Sequence, residues 1–152
     1  MLLKGEVQFR EYVWDYDVDG GATGDLQMRP ADGLPEALPE GCLVKDAVVV
    51  TEEALTTSGS PTLTFGTLTD SDGFLADAMA ALTNVNSVVR AGEKDGALLW
   101  DSTADAKKAY RVPSTANSQK PALNIGTAAL TGGKLRMILE LYNPGSGVGD
   151  LS

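Results

Sequence analysis

Between Lys134 and Tyr142 the chain reads KLRMILELY. Leu135, Met137, Leu139 and Leu141 take every second position, with Lys134, Arg136 and Glu140 between them. A period of two held this long would scatter its apolar groups around a helix, so it dictates a β-strand with one buried face. Such a strand needs neighbours, and the rest of the chain has to supply a sheet. Thr131-Gly132-Gly133 is a turn signal, which predicts a hairpin with the preceding segment PALNIGTAAL, where Leu123 and Ile125 share a face.

Other segments follow the same period. From Thr62 to Leu68 the sequence alternates as TLTFGTL, with Leu63, Phe65 and Thr67 on one side; its threonines have short, stiff side chains that suit a pleated sheet. Leu43-Val44 and Val48-Val49-Val50 are apolar runs bounded by Gly41 and by Thr51-Glu52. Between Glu6 and Trp14, Val7 and Phe9 lie on one face before the apolar phase switches to Tyr12 and Trp14, which predicts a bulge or bend. Weaker strands are expected at 85–90, 97–100 and 109–112.

A single helix is expected. Asp70-Ser71-Asp72-Gly73 offers a turn and an N-cap before FLADAMAAL, where Phe74, Leu75, Ala78, Met79 and Leu82 share a helical face. Residues 15 to 41 read as one long loop, with Pro30, Pro35, Pro39 and several glycines and almost no apolar pattern. These signals predict an all-β fold: a jelly-roll-like sandwich or barrel with one short helix and a long N-terminal loop. The expected organisation is one domain. Residues 1–35 form its N-terminal strand and acidic extension, residues 36–144 its core, and residues 145–152 a Gly-rich flexible tail.

The 152 residues suffice for a real core, because a domain of this size buries roughly 70% of the surface its unfolded chain exposes. The chain has no histidine, which removes every Ser-His or Cys-His nucleophile pair and every His metal site. One cysteine, Cys42, allows no internal disulfide and reads as a small buried hydrophobe. No apolar run reaches the roughly 20 residues a membrane helix needs, and MLLKGEVQFR is too polar to read as a signal peptide. The net charge is −9, so a phosphate backbone would repel the surface, and neither nucleic acid nor membrane is expected as a partner. The acidity is uneven: residues 1–60 carry twelve acids against four bases, residues 61–152 nine against eight.

Asp15, Asp17 and Asp19 alternate before Gly20, the opening of a calcium loop. The pattern then fails, because the twelfth position is Leu26 rather than a bidentate Glu. An incidental acidic loop is the favoured reading, a bound Ca²⁺ the minor one, and no other cofactor is expected. Tyr12, Trp14 and Tyr16 could stack a sugar, but an interface or core role is preferred. Lys107, Lys108 and Arg111 read as a solvated, aggregation-resistant edge. Gly132-Gly133-Lys134 lacks the rest of a phosphate-binding loop. Nothing reads as a catalytic constellation, so no enzymatic activity is expected.

Leu38-Pro39-Glu40-Gly41-Cys42-Leu43-Val44 resembles the opening of the first core strand of small capsid decoration (cement) proteins of tailed bacteriophages. Thr62-Leu63-Thr64-Phe65-Gly66-Thr67 resembles a further strand of that family. Leu130-Thr131-Gly132-Gly133-Lys134, with Leu141-Tyr142-Asn143-Pro144, resembles its closing strand. The likeness runs over about residues 36 to 144 and marks no binding residue. It implies a jelly-roll-like β fold, no enzymatic activity, assembly in the bacterial cytoplasm and a place on the outer surface of the head. The implied partners are the major capsid protein and other copies of the chain, as a trimer or dimer at a symmetry axis. Each copy would bridge capsomers and bind only the expanded shell, stabilising it by mass action. Because aromatic residues are enriched where interfaces are strongest, Phe9, Tyr12, Val13 and Trp14 are the expected capsid or subunit contacts. The alternatives are a head-fibre or other virion component of similar fold, and a calcium- or carbohydrate-binding β-sandwich.

Overall fold

A computed structural model describes residues 2–31, 33, 35–91, 96, 98–101 and 106–145. Its strands are β1 (Val7–Asp15), β2 (Gly24–Gln27), β3 (Arg29–Pro30), β4 (Leu43–Thr57), β5 (Thr62–Thr67), β6 (Val88–Arg90), β7 (Trp100–Asp101), β8 (Ala106–Lys107), β9 (Tyr110–Arg111), β10 (Pro121–Gly126) and β11 (Leu130–Tyr142). The large sheet has the order β3-β1-β11-β4-β6, with β9 also paired to β4; the small sheet is β2-β10-β5, and β7 pairs with β8. All of these pairings are antiparallel. The expected all-β class holds.

β11 is the axis of the large sheet. Leu135, Met137, Leu139 and Leu141 are fully buried and meet Leu63, Phe65, Leu123 and Ile125 of the small sheet in one cluster. Its period-two pattern therefore states which face looks inward. The flanking Thr131-Gly132-Gly133 does not turn the chain; it lies within β11, where the register against β4 shifts. Gly133 has φ +122, and a Cβ there would sit 2.5 Å from a Leu55 methyl, so the bulge needs glycine.

The expected hairpin between the last two strands does not form. β10 belongs to the small sheet and β11 to the large one, and residues 127–129 carry the chain between them. Close approach fixes this crossing: the Leu130 N–H donates to the Gly21 carbonyl at 2.9 Å, and a Cβ on Gly21 would lie 2.0 Å from the Leu130 oxygen.

The helix expected over 74–82 is also absent; only Met79–Ala81 forms a 3-10 turn. Phe74, Leu75, Ala78 and Leu82 are buried as their spacing required, but in an irregular segment that meets β5 through one bridge. Phe65 and Leu75 exchange backbone hydrogen bonds, and the Ala78 N–H donates to the Leu63 carbonyl. Pairing to an open strand edge outcompeted a helix too short to stand without packing. The α-helical residues are instead the single turn Tyr16–Asp19 (α1). The region read as one long loop, 15 to 41, thus holds α1, β2 and β3. The apolar runs at 43–50 belong to one fifteen-residue strand, β4. Val88–Arg90, Trp100–Asp101 and Tyr110–Arg111 realise the three weak strand signals in part; Ala97 and the tail 146–152 lie outside the described residues.

Candidate functional site

β1 contains no bulge. It pairs with β11 without a break, from Val7 opposite Tyr142 to Asp15 opposite Lys134. The even positions face the core throughout, and the apolar phase breaks because a cation, Arg10, takes one of them. Arg10 is 2% exposed; its Nε donates to Gln8 Oε1 and its Nη1 to the Ala37 carbonyl at 3.1 Å. Tyr12 follows on the same face, its hydroxyl buried without a hydrogen-bond partner among the described residues. Burial raises the pKa of that hydroxyl, with the Arg10 charge opposing. Cys42 lies in the same buried neighbourhood, and burial pushes its thiol up to about 11, leaving it inert.

Of the four residues expected to make contacts, Tyr12, Val13 and Trp14 are therefore buried within their own chain, and Trp14 Nε1 donates to the Gly20 carbonyl at 2.8 Å. A buried Tyr12 and Trp14 cannot stack a sugar. Phe9 is 63% exposed, on the outer face of the large sheet beside Val7 at 47%. The aromatic residues split by strand face: Tyr12 and Trp14 take inward positions of β1 and Phe9 an outward one, while Val13, also outward, is buried where β3 pairs with it.

Asp15 caps α1 by accepting from the Asp17 N–H. Asp19 accepts the Asp15 backbone N–H at 2.8 Å, and both of its oxygens are held by Arg29 of β3. Asp15 thus spends an oxygen on the turn and Asp19 both of its oxygens on an ion pair and a backbone N–H. Among the described residues no group of three acids or thiols could hold a metal ion. Arg29, ten residues on, supplies a positive charge to Asp19.

Beyond β1, the outer face of the large sheet is mixed. Arg136 bridges Glu11 and Glu52, while Asp46 receives Lys107 at 2.7 Å and Arg90. Lys107 is thus part of a charge cluster rather than a free solvated edge. Burial opposes the Asp46 charge, but the Lys107 and Arg90 hydrogen bonds outweigh it and hold the carboxyl below its ordinary value. Between these clusters Ile138 pairs with Val48, and Val50 stands beside Val88, which is 56% exposed. Sequence reading missed this surface, because Val48 to Val50 read as a continuous core run.

An open cleft of about 340 Å³ is lined by Leu55, Pro61, Met79 and Thr83 with Asp77. Asp77 Oδ1 accepts the Leu63 and Met79 N–H groups, which ties the cleft's one carboxylate to neighbouring backbone. Asp70 sits beside Asp72, and burial, then the neighbouring carboxyl, raises its pKa; the pair belongs to the turn after β5.

No family model matches the sequence, and no curated protein matches it. Among solved structures, the chain is similar to one from the capsid asymmetric unit of the cyanophage Pam1. That match has a TM-score of 0.63 and 14% identity, and covers 93% of this chain and 87% of that one. A chain from the acidic stable capsid of the Helicobacter pylori bacteriophage KHP30 matches with a TM-score of 0.45 and 12% identity, covering 93% and 91%. At these identities the Pam1 likeness shows a shared fold.

Proposed function

We propose that this chain is a structural virion component, a decoration protein that sits on the outer surface of a phage head and bridges neighbouring shell subunits. One observation carries the reading: 93% of the chain shares its fold with 87% of a chain found in a capsid asymmetric unit. The two are of nearly equal length, so the likeness concerns whole small domains. The chemistry of the described residues agrees. Asp19, Asp46 and Glu52 serve ion pairs, Asp77 a turn, and the one thiol is buried. Such a molecule acts by binding.

The surface facing the shell is the outer face of the large sheet, where exposed Val88 and half-buried Val48, Val50 and Ile138 lie between charged pairs. An apolar patch with a polar rim is how protein interfaces are built. Binding the expanded shell and not its precursor stabilises the expanded state by mass action, and repetition over a lattice multiplies a modest contact.

Co-sedimentation of the purified protein with expanded and unexpanded shells tests this. Saturable binding to expanded shells alone, at a stoichiometry fixed by the lattice and weakened by Val88→Glu, is expected. No retention on expanded shells overturns the reading, and density at a fibre or tail in a reconstruction replaces it with that location.

A further inference from the structure

The outer edge of β1 is sealed over half its length and open over the rest. Odd-numbered residues of β1 point their backbone groups away from β11. The Ala31 N–H donates to the Glu11 carbonyl on that side, whereas the Glu6 carbonyl accepts from Asn143 on the β11 side. β3 pairs only with Tyr12 and Val13, and Asp19 takes the Asp15 N–H beyond it. Val7 and Phe9 are left with N–H and C=O groups directed outward and no strand across from them among the described residues. They are also the exposed apolar residues of β1, at 47% and 63%. Native sheets cover, charge or shorten such edges; among the described residues no strand covers this stretch, and its charge, Arg10, points inward.

We infer that this edge pairs with the same edge of a second copy, antiparallel, across a two-fold axis. The segment is complementary to itself in one register. With Gln8 opposite Gln8 of the second copy, Val7 faces Phe9 on both sides of the axis. Both are outward-pointing residues, so each Val7–Phe9 pair exchanges two backbone hydrogen bonds and satisfies every open group of the edge. Each pair also sets an aromatic ring against a β-branched side chain, a favourable cross-strand combination. The ends fit as well. Beyond Val7 the chain leaves the edge through the turn in which the Glu6 N–H donates to the Leu3 carbonyl, and Leu2 is buried toward Asn143. The second copy's β3 therefore meets no strand in its path. The contact is short, which makes the dimer weak in solution, and it joins two large sheets so that their outer faces lie side by side. This inference does not depend on the proposed virion role; if that role holds, the dimer presents two shell-binding faces at once.

Hydrogen exchange and sedimentation equilibrium on the full chain test it, from about 10 μM to about 1 mM. The Val7 and Phe9 amides are expected to exchange fast in dilute protein and to slow as concentration rises, while the Gln8 and Arg10 amides stay protected throughout. Val7→Pro removes an N–H that the fold itself does not use, and Phe9→Lys places like charges near the axis; each should raise the dimer dissociation constant about tenfold or more. A chain that stays monomeric over the whole range, or a dimer whose Val7 and Phe9 amides remain unprotected, overturns the inference. So does a dimer that both variants leave unchanged.

Discussion

The two halves of β1 share one strand, one register and one partner, yet differ in what lies over them. From Glu11 to Asp15 the inner face holds Tyr12 and Trp14 in the core, and the outer edge is closed by β3 and by the Asp19–Arg29 pair. From Val7 to Arg10 the polarity is inverted: a guanidinium is inside, and Val7 and Phe9 are outside. The first half is a piece of core and the second a surface. The difference teaches that alternation fixes which residues share a face, while neighbouring elements decide whether that face or its edge is free.

Mutations should separate the halves by size of effect. Trp14→Ala is expected to lower unfolding stability by about 3–5 kcal/mol in urea denaturation, because it leaves a cavity and loses the bond to Gly20. A cost under about 1 kcal/mol would show that the C-terminal half is not core. Asp19→Ala should cost about 1 kcal/mol, since it removes a partly exposed ion pair with Arg29 and the acceptor for the Asp15 N–H. The same change should leave calcium binding by titration calorimetry unaltered, and a wild-type calcium signal lost in the variant would restore the metal reading. Tyr12→Phe deletes a buried hydroxyl that has no hydrogen-bond partner among the described residues and should be neutral within about 0.5 kcal/mol or stabilising; a larger loss would reveal a bond from Arg10. Phe9→Ser, on the exposed half, should change monomer stability least, by less than about 0.5 kcal/mol.

The outer face adds a pH dependence. Asp46 has a folded-state pKa below its unfolded value, roughly 3.9, so its stabilisation is complete above that pH and is lost as pH falls through the lower folded value. The wild type should therefore lose stability on acidification more steeply than Asp46→Asn below about pH 4. Parallel urea midpoints for the two proteins would remove Asp46 from the acid response.

Much of the sheet was legible. KLRMILELY and TLTFGTL gave their buried faces correctly, since period two survives any arrangement of partners. The errors share a cause. FLADAMAAL met the burial its spacing demanded but took an irregular path, because the free edge of β5 offered backbone partners that no local pattern reveals. Thr131-Gly132-Gly133 carried turn chemistry into a bulge. Arg10 broke the apolar phase, and a buried cation reads in sequence like a kink. Three of the four expected contact residues are aromatic, a property shared by cores and interfaces, so sequence could not tell the exposed Phe9 from the buried Trp14.

By itself the sequence determined the class of the fold, the absence of histidine chemistry and the facing of the long strands, because these depend on residue type and on spacing along the chain. Only the tertiary structure decided which strands became neighbours, that Asp19 would meet Arg29, and that no strand of the described residues would lie along the edge at Val7 and Phe9. Those outcomes depend on contacts between residues far apart in sequence, where backbone hydrogen bonds and burial are shared out among competing partners.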